Sequence, residues 1–154
     1  MRNLRDALEQ GQKDGVAIGH FNVGDWVLLK AVFASGQELK VPVVVGASEG
    51  EREFIGVQQI AALVRSLREE SECQIFLNAD HTHSLEKAVE ATKAGFDAIV
   101  FDLSALPFEQ NVRQTKEAVE TLKKSILPSL WKERSATLEP GLKYMKRLPI
   151  CRGA

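Results

Sequence analysis

The sequence predicts an α/β fold built around a parallel sheet, and two observations support this. Short runs of apolar and β-branched residues alternate with stretches in which apolar residues recur at helical spacing. The alternation gives the order β-α-β-α-β-α-β-α between residues 16 and 123, and such alternation forms parallel sheets with right-handed crossovers. Two architectures fit this order. One is a compact doubly wound sheet, and the other is a partial TIM (β/α)8 barrel of about four βα units.

The first unit is predicted from a strand over residues 16–23 and a helix over residues 26–39. Asp25 stands immediately before this helix, where an aspartate side chain caps free backbone N–H groups. Leu4 and Leu8 allow an amphipathic helix before the strand.

The second unit begins with a strand at residues 41–47 that is apolar on both faces, as buried parallel strands are. Pro42 fits the first residues of that strand, where a missing N–H is tolerated. A helix is predicted next, because apolar residues recur at helical spacing at Phe54, Val57, Ile60, Ala61, Val64 and Leu67.

Two further units complete the pattern. Strands are predicted at residues 74–79 and 97–102, and the last helix at residues 108–123. Between the two strands, Ser84 opens a helix, and Gly95 stands where a helix C-terminus favours a residue with positive φ.

The composition is that of a water-soluble globular chain. Hydrophobic residues make up 44% and charged residues 27%, which differs from a disordered chain. No apolar run approaches the ~20 residues that span a bilayer, and no apolar signal core follows the N-terminus, so we expect a cytoplasmic protein with no membrane association. A net charge of −1 favours no nucleic-acid partner. Cys73 and Cys151 form no CxxC pair and are expected to be reduced thiols.

Polar residues follow each predicted strand, at the edge where parallel α/β folds build their sites. They are Asn22, Ser48, Glu49, Asn78, Asp80, His81, Asp102 and Ser104. Polar residues at all four ends are a stronger signal than any one of them. Loop polarity and helix capping explain some, and Ser84 and Ser104 are expected to be caps or turn residues.

Asp80 and His81 form the most informative pair. A neutral imidazole is a ligand for divalent transition metals, and an adjacent carboxylate can act as general acid or base. His81 and His83 would share a face of an extended segment, but two histidines alone are a weak metal signal. His83 is expected near a helix cap or at the surface, and His20 is expected to be packed in its strand.

Residues 77–88 read Leu-Asn-Ala-Asp-His-Thr-His-Ser-Leu-Glu-Lys-Ala. This run closely resembles the active-site signature of the class II, zinc-dependent fructose-bisphosphate aldolases. The similarity includes four further segments, at residues 21–23, 43–50, 93–102 and 106–112, and covers roughly residues 5–130.

The resemblance implies a TIM barrel that reversibly cleaves fructose 1,6-bisphosphate into dihydroxyacetone phosphate and glyceraldehyde 3-phosphate. By position it implies that His81 is one ligand of a Zn²⁺ cofactor, which polarises the ketone and stabilises the enediolate. It implies that Asp80 is the acid/base that exchanges a proton with the hydroxyl at the cleaved bond. Asn22 and Ser48 would contact the sugar phosphate, Ser48 near a phosphate, and Asp102 would lie close to the metal region.

Two features depart from the family pattern. Asp102 is usually followed by Gly-Ser, and here Leu103 replaces the glycine, where a side chain would crowd a turn of positive φ. The family's other zinc histidines come from later strands, yet no histidine follows His83. Since zinc sites use three or four protein ligands, we expect little or no activity from this polypeptide.

Residues 131–154 differ in composition from the rest and carry a net charge of +4, against −5 for residues 1–130. The family continues here with a fifth strand resembling Val-Glu-Gly-Glu-Ile-Gly. Codons can be assigned to residues 130–146 so that a one-base frame shift yields such a run. We therefore predict a domain at 1–130, the N-terminal half of the barrel, followed by a frameshifted tail at 131–154. A genuine basic extension that binds an acidic partner is the alternative.

Two other functions compete with this one. A tagatose-bisphosphate-type aldolase shares the N-terminal half, and a non-catalytic doubly wound binding module would fit the same order of elements. A half barrel also leaves strand edges unpaired and apolar surface bare, which favours a homo-oligomer.

Overall fold

A computed structural model of the chain describes residues 3–125. Over that range the chain forms six helices and four strands: α1 (Leu4–Asp14), β1 (Gly19–Asn22), α2 (Trp26–Leu39), β2 (Val43–Ala47), α3 (Glu49–Ile55), α4 (Val57–Glu70), β3 (Ile75–Thr82), α5 (Leu85–Ala94), β4 (Ala98–Phe101) and α6 (Phe108–Ser125). None of these helices is long and apolar enough to cross a membrane. The predicted tail, residues 131–154, lies outside the described residues.

The four strands form one parallel sheet in the order β1-β2-β3-β4. This sequential order decides between the two predicted architectures, because a doubly wound sheet reverses its strand order at a switch point. Each strand instead pairs with the next in the chain, as in a barrel. The predicted partial TIM barrel is therefore confirmed.

The two faces of the sheet are covered differently. Apolar side chains of α2, α4 and α5 pack on one face, against Val43, Val45, Ile75 and Leu77. On the opposite face, Ala7 of α1 packs against Val44 and Phe76 near the beginning of the strands. The carboxyl half of that face is therefore free of helices from residues 3–125, and the side chains of His20 and Asn22 are exposed there while Asn78 is buried.

The predicted caps are confirmed. Asp25 accepts a hydrogen bond from the Leu28 N–H and begins α2. Ser84 accepts from the Lys87 N–H at the start of α5, and Gly95 ends that helix with φ of 99°. Ser104 lies in a turn and donates its N–H to Asp102 Oδ1 over 2.9 Å.

The first, second and fourth strands are shorter than predicted, and two larger differences bear on the site. The helix after β2 is interrupted at Gly56, whose φ of 94° separates α3 from α4. Phe54 belongs to α3 and is 83% exposed, so it is not part of the apolar stripe that α4 buries. The third strand also continues beyond residue 79 to Thr82, so Asp80 and His81 lie within the sheet.

We expect Asp25→Ala to lower the free energy of unfolding by about 1 kcal/mol, because the Leu28 N–H loses its acceptor. Asp25→Asn is the matched control, since asparagine caps helices as well as aspartate does. Urea denaturation of the three chains measures the difference. Equal loss of stability in both variants would show that the charge, and not the cap, is responsible.

Candidate active site

The sheet brings together the side chains that the sequence placed at separate strand ends. Asn22 Nδ2 donates to Asp80 Oδ2 over 3.1 Å, so the ends of β1 and β3 are joined across β2. The same Nδ2 lies 3.4 Å from Glu51 Oε2, which also accepts the Ser48 N–H over 2.6 Å. Asn22 thus holds the Asp80 carboxylate from one side.

Gly46 allows this approach across β2. It pairs with Asn22 on one side and with Asn78 on the other. A Cβ at residue 46 would overlap Asn22 Oδ1 and lie 2.6 Å from His20 Cε1. The absence of a side chain therefore leaves the space in which Asn22 reaches Asp80.

The β3 strand carries a β-bulge where the reacting groups are expected. Ala79 pairs with Ile99 and Thr82 with Phe101, so β3 holds one extra residue over this interval. His81 lies in the bulge with φ of 44°, in the left-handed region. That conformation costs a residue with a side chain about 1–2 kcal/mol, so surrounding contacts must maintain it.

His81 is oriented by a carboxylate from the next strand. Its Nδ1 lies 2.7 Å from Asp102 Oδ2. The hydrogen bond to Asp102 raises the pKa of His81, and the nearby Asp80 charge adds to the effect. Hydrogen bonds from Ser104 and His81 hold the pKa of Asp102 well below its usual range.

Because an ionised carboxylate only accepts, Nδ1 carries the proton, and Nε2 of the neutral ring keeps its lone pair. Nε2 lies 3.9 Å from Asp80 Oδ2, beyond hydrogen-bond distance. Its lone pair is therefore available to a ligand beside the Asp80 carboxylate.

Ser48 acts structurally in this arrangement. Its hydroxyl accepts the Glu51 N–H over 3.3 Å and, with the return bond from Ser48 N–H to Glu51, forms a capping box at the start of α3. The predicted substrate contact of Ser48 stays a prediction.

Of the other residues for which the sequence made a prediction, His83 lies as expected, whereas His20 and Leu103 do not. His83 is exposed, as expected, with Nδ1 lying 3.0 Å from the Asp102 carbonyl oxygen. His20 is exposed rather than packed, because β1 is an edge strand of the described sheet; its Nε2 lies 3.1 Å from Asn78 Nδ2. Leu103 does not strain its turn, because its φ is not positive and its side chain is buried.

Arg52 is the functional candidate that sequence reasoning missed. It is 2% exposed, and its guanidinium donates to the carbonyl oxygens of Ala47 and Asp80 and to Thr82 Oγ1. Burial lowers its pKa, and surrounding carboxylates, Glu49 first, oppose that effect. In the sequence, Arg52 is only an arginine one helical turn after the Ser48 cap. An arginine on the exposed face of a surface helix would give the same pattern, so the sequence did not identify it.

The described residues fit part of a zinc site. His81 offers one imidazole nitrogen, and Asp102 holds the ring as carboxylates hold zinc-binding histidines. Within residues 3–125, however, no three histidine, cysteine, aspartate or glutamate side chains are grouped closely enough to bind a metal. These residues therefore do not form a complete zinc site.

The chain is similar in sequence to proteins that are named fructose-bisphosphate aldolases. A "Probable fructose-bisphosphate aldolase" of Bacillus subtilis is 32% identical over 121 residues, which are 77% of this chain and 42% of the relative. A fructose-bisphosphate aldolase of Staphylococcus aureus is 33% identical over the same shares. The chain thus spans about two fifths of the length of these relatives.

Solved structures agree on the fold. The YdjI aldolase of Escherichia coli K12 superposes with a TM-score of 0.73 at 27% identity, over 80% of this chain and 48% of that one. A putative aldolase of Coccidioides immitis gives 0.74 at 20% identity, over 80% and 44%; at that identity the likeness shows the fold alone.

The sequence profile of the family "Fructose-bisphosphate aldolase class-II" matches residues 2–127. That range contains the whole described sheet, Asn22, and the bulge with its aspartate and histidine. The chain therefore belongs to the class II fructose-bisphosphate aldolase family.

Proposed function

We propose that this chain carries the proton-transfer half of a class II aldolase site, which acts on fructose 1,6-bisphosphate. The supporting observation is the Asp80 carboxylate, held by Asn22 at the carboxyl edge of the sheet beside the oriented ring of His81. Of the two predicted substrates, we propose the fructose bisphosphate and not the tagatose bisphosphate, because the relatives are named fructose-bisphosphate aldolases.

Asp80 is the proposed acid/base. In the cleavage direction it takes the proton of the hydroxyl next to the breaking carbon–carbon bond, and in condensation it returns that proton to the aldehyde-derived oxygen. Asn22 donates to Oδ2 and so fixes the carboxylate, and it is also proposed to contact the sugar phosphate. Ser48 is proposed to contact a substrate phosphate.

His81 Nε2 is the proposed zinc ligand from this chain. One histidine held by Asp102 does not supply the three protein ligands of a catalytic zinc. The polypeptide as given is therefore proposed to have little or no aldolase activity, and its reaction would need ligands from elsewhere.

Three further proposals concern the chain as a whole. Among residues 3–125 no strand pairs with the outer edges of β1 and β4, and such edges favour self-association. The protein is proposed to be cytoplasmic. Residues 131–154, outside the described range, are proposed to be out of frame with the aldolase domain at residues 1–130.

Resequencing the gene around the codon for Leu130 tests the frame. We expect one missing base, after which the restored frame encodes an aldolase-like fifth strand and further histidines. A confirmed sequence with no such continuation in either alternative frame would make the basic tail a genuine extension.

The full chain should cleave fructose 1,6-bisphosphate more than about 100-fold more slowly than the Bacillus subtilis relative, because losing metal ligands costs more than losing the groups that support them. A coupled assay for dihydroxyacetone phosphate, with and without added Zn²⁺, measures this. Turnover near that of the relative, once zinc is added, would contradict the proposed deficiency.

The role of Asp80 is tested in a chimera where residues 3–125 replace the matching segment of the Bacillus subtilis relative. We expect Asp80→Asn to lower kcat by roughly 10²–10⁴-fold, because asparagine keeps the shape but cannot transfer the proton. Asp25→Asn is the matched control and should leave kcat unchanged. An Asp80→Asn chimera as active as the control would refute the proposed acid/base.

A further inference from the structure

Arg52 is a buried cation that the proposed chemistry leaves unexplained. It reaches from α3 below the carboxyl edge of the sheet, and no carboxylate among residues 3–125 lies within ion-pair distance of it. Its partners are instead backbone carbonyls and one hydroxyl. A charge buried without an ion pair is costly, so the hydrogen bonds of Arg52 must compensate for that cost.

The contacts of Arg52 enclose the bulge of β3. Nη1 donates to the Asp80 carbonyl oxygen over 3.1 Å, and Nη2 donates to Thr82 Oγ1 over 3.0 Å. Nη1 also donates to the Ala47 carbonyl oxygen at the end of β2. The residue between the two β3 partners is His81, with φ of 44°.

The dihedral angle φ of a residue is set by the position of the preceding carbonyl carbon. Arg52 donates to the carbonyl oxygen of the peptide group before His81 and to the side-chain hydroxyl of the residue after it, so it restrains the chain on both sides of His81. The same bulge presents the Asp80 carboxylate to Asn22 and the ring of His81 to Asp102.

We propose that Arg52 is the positioning residue of this site, which clamps Asp80 and Thr82 and thereby holds His81 in the left-handed conformation that the site requires. The inference rests on the proposed function for the identity of the reacting groups. An arginine suits this role because its planar fork reaches three acceptors on two strands with fixed geometry. A lysine ammonium would keep the charge without that geometry.

Arg68 of α4 provides a control that contacts the same strand, β3. Its Nε donates to the Ile75 carbonyl oxygen over 2.8 Å, at the opposite end of β3, and its Nη2 contacts Asp97. Arg68 therefore also ties a guanidinium to the β3 backbone, far from the bulge. Arg52→Lys releases the bulged end of β3, and Arg68→Lys releases the opposite end together with an ion pair to Asp97 that Arg52 lacks.

The experiment is NMR spectroscopy of the full chain with ¹⁵N,¹³C-labelled histidine, in which three histidines give a simple spectrum. In spectra recorded at high pH, ¹⁵N shifts report which nitrogen of a neutral imidazole ring carries the proton. We expect the original chain to show His81 protonated on Nδ1, with the strong amide-to-Hα NOE of a positive φ.

In Arg52→Lys we expect both signatures to be lost, with His81 protonated mainly on Nε2, while Arg68→Lys keeps them. Thr82→Val removes one partner of Arg52 and should weaken the signatures, whereas Thr82→Ser should retain them. Circular dichroism monitors folding of each variant.

Unchanged His81 signatures in a folded Arg52→Lys chain would overturn the proposal. If that chain does not fold, unchanged signatures in a folded Thr82→Val chain would overturn it. Equal loss in Arg68→Lys would also overturn it, because the effect would then be general destabilisation.

Kinetics of the chimera separate this proposal from the proposed function. Arg52→Lys there should lower kcat at least tenfold with little change in KM. If Asp80→Asn has no effect in the chimera while the NMR signatures still depend on Arg52, the proposed function fails and the positioning role stands. The reverse result, normal signatures in Arg52→Lys with an inactive Asp80→Asn, removes only the positioning role.

Discussion

The buried guanidinium of Arg52 connects helix α3 to strands β2 and β3, which carry the candidate site. Arg52 extends from α3 to the end of β2 and to both sides of the β3 bulge, so three elements depend on one side chain. Burying a charge is costly unless its hydrogen bonds are satisfied. Here the carbonyl oxygens of Ala47 and Asp80 and the hydroxyl of Thr82 accept hydrogen bonds from the guanidinium. The same hydrogen bonds flank His81 and hold its left-handed conformation. The capping box of Ser48 and Glu51 fixes the start of α3, and with it the origin of the Arg52 side chain.

The barrel architecture explains why the site lies where it does. Helices cover one face of the sheet, and α1 covers only the beginning of the strands on the other face. Asn22 and His81 at the carboxyl ends are therefore exposed, and Gly46 leaves room between β1 and β3 for Asn22 to reach Asp80. The described residues thus contain one side of an aldolase site: a carboxylate with its amide partner, and a histidine with its supporting carboxylate. A complete set of metal ligands is not among residues 3–125.

Much of the fold could be predicted because local signals and tertiary packing agree. Asp25, Ser84 and Gly95 act where capping rules place them, and the buried β2 strand is apolar throughout. The interruption at Gly56 was missed, because apolar spacing continues across a glycine that only the backbone conformation identifies as a break. Asp80, His81 and Asp102 were predicted from strand ends and family resemblance. The exposure of His20 was not, since strand periodicity does not say which face a helix will cover.

The sequence by itself determined the alternation of strands and helices, the caps, and the family to which the chain belongs, because these depend on residue types at short spacings. Only the tertiary structure decided the sequential strand order, which distinguishes a barrel from a doubly wound sheet. It also decided the bulge at Asp80 and His81 and the burial of Arg52. These features depend on strand pairing and on hydrogen bonds between residues far apart in the chain, such as Arg52 and Thr82, which are 30 positions apart. Local pattern carries no information about such contacts, and the geometry of the proposed acid/base and its histidine depends on them.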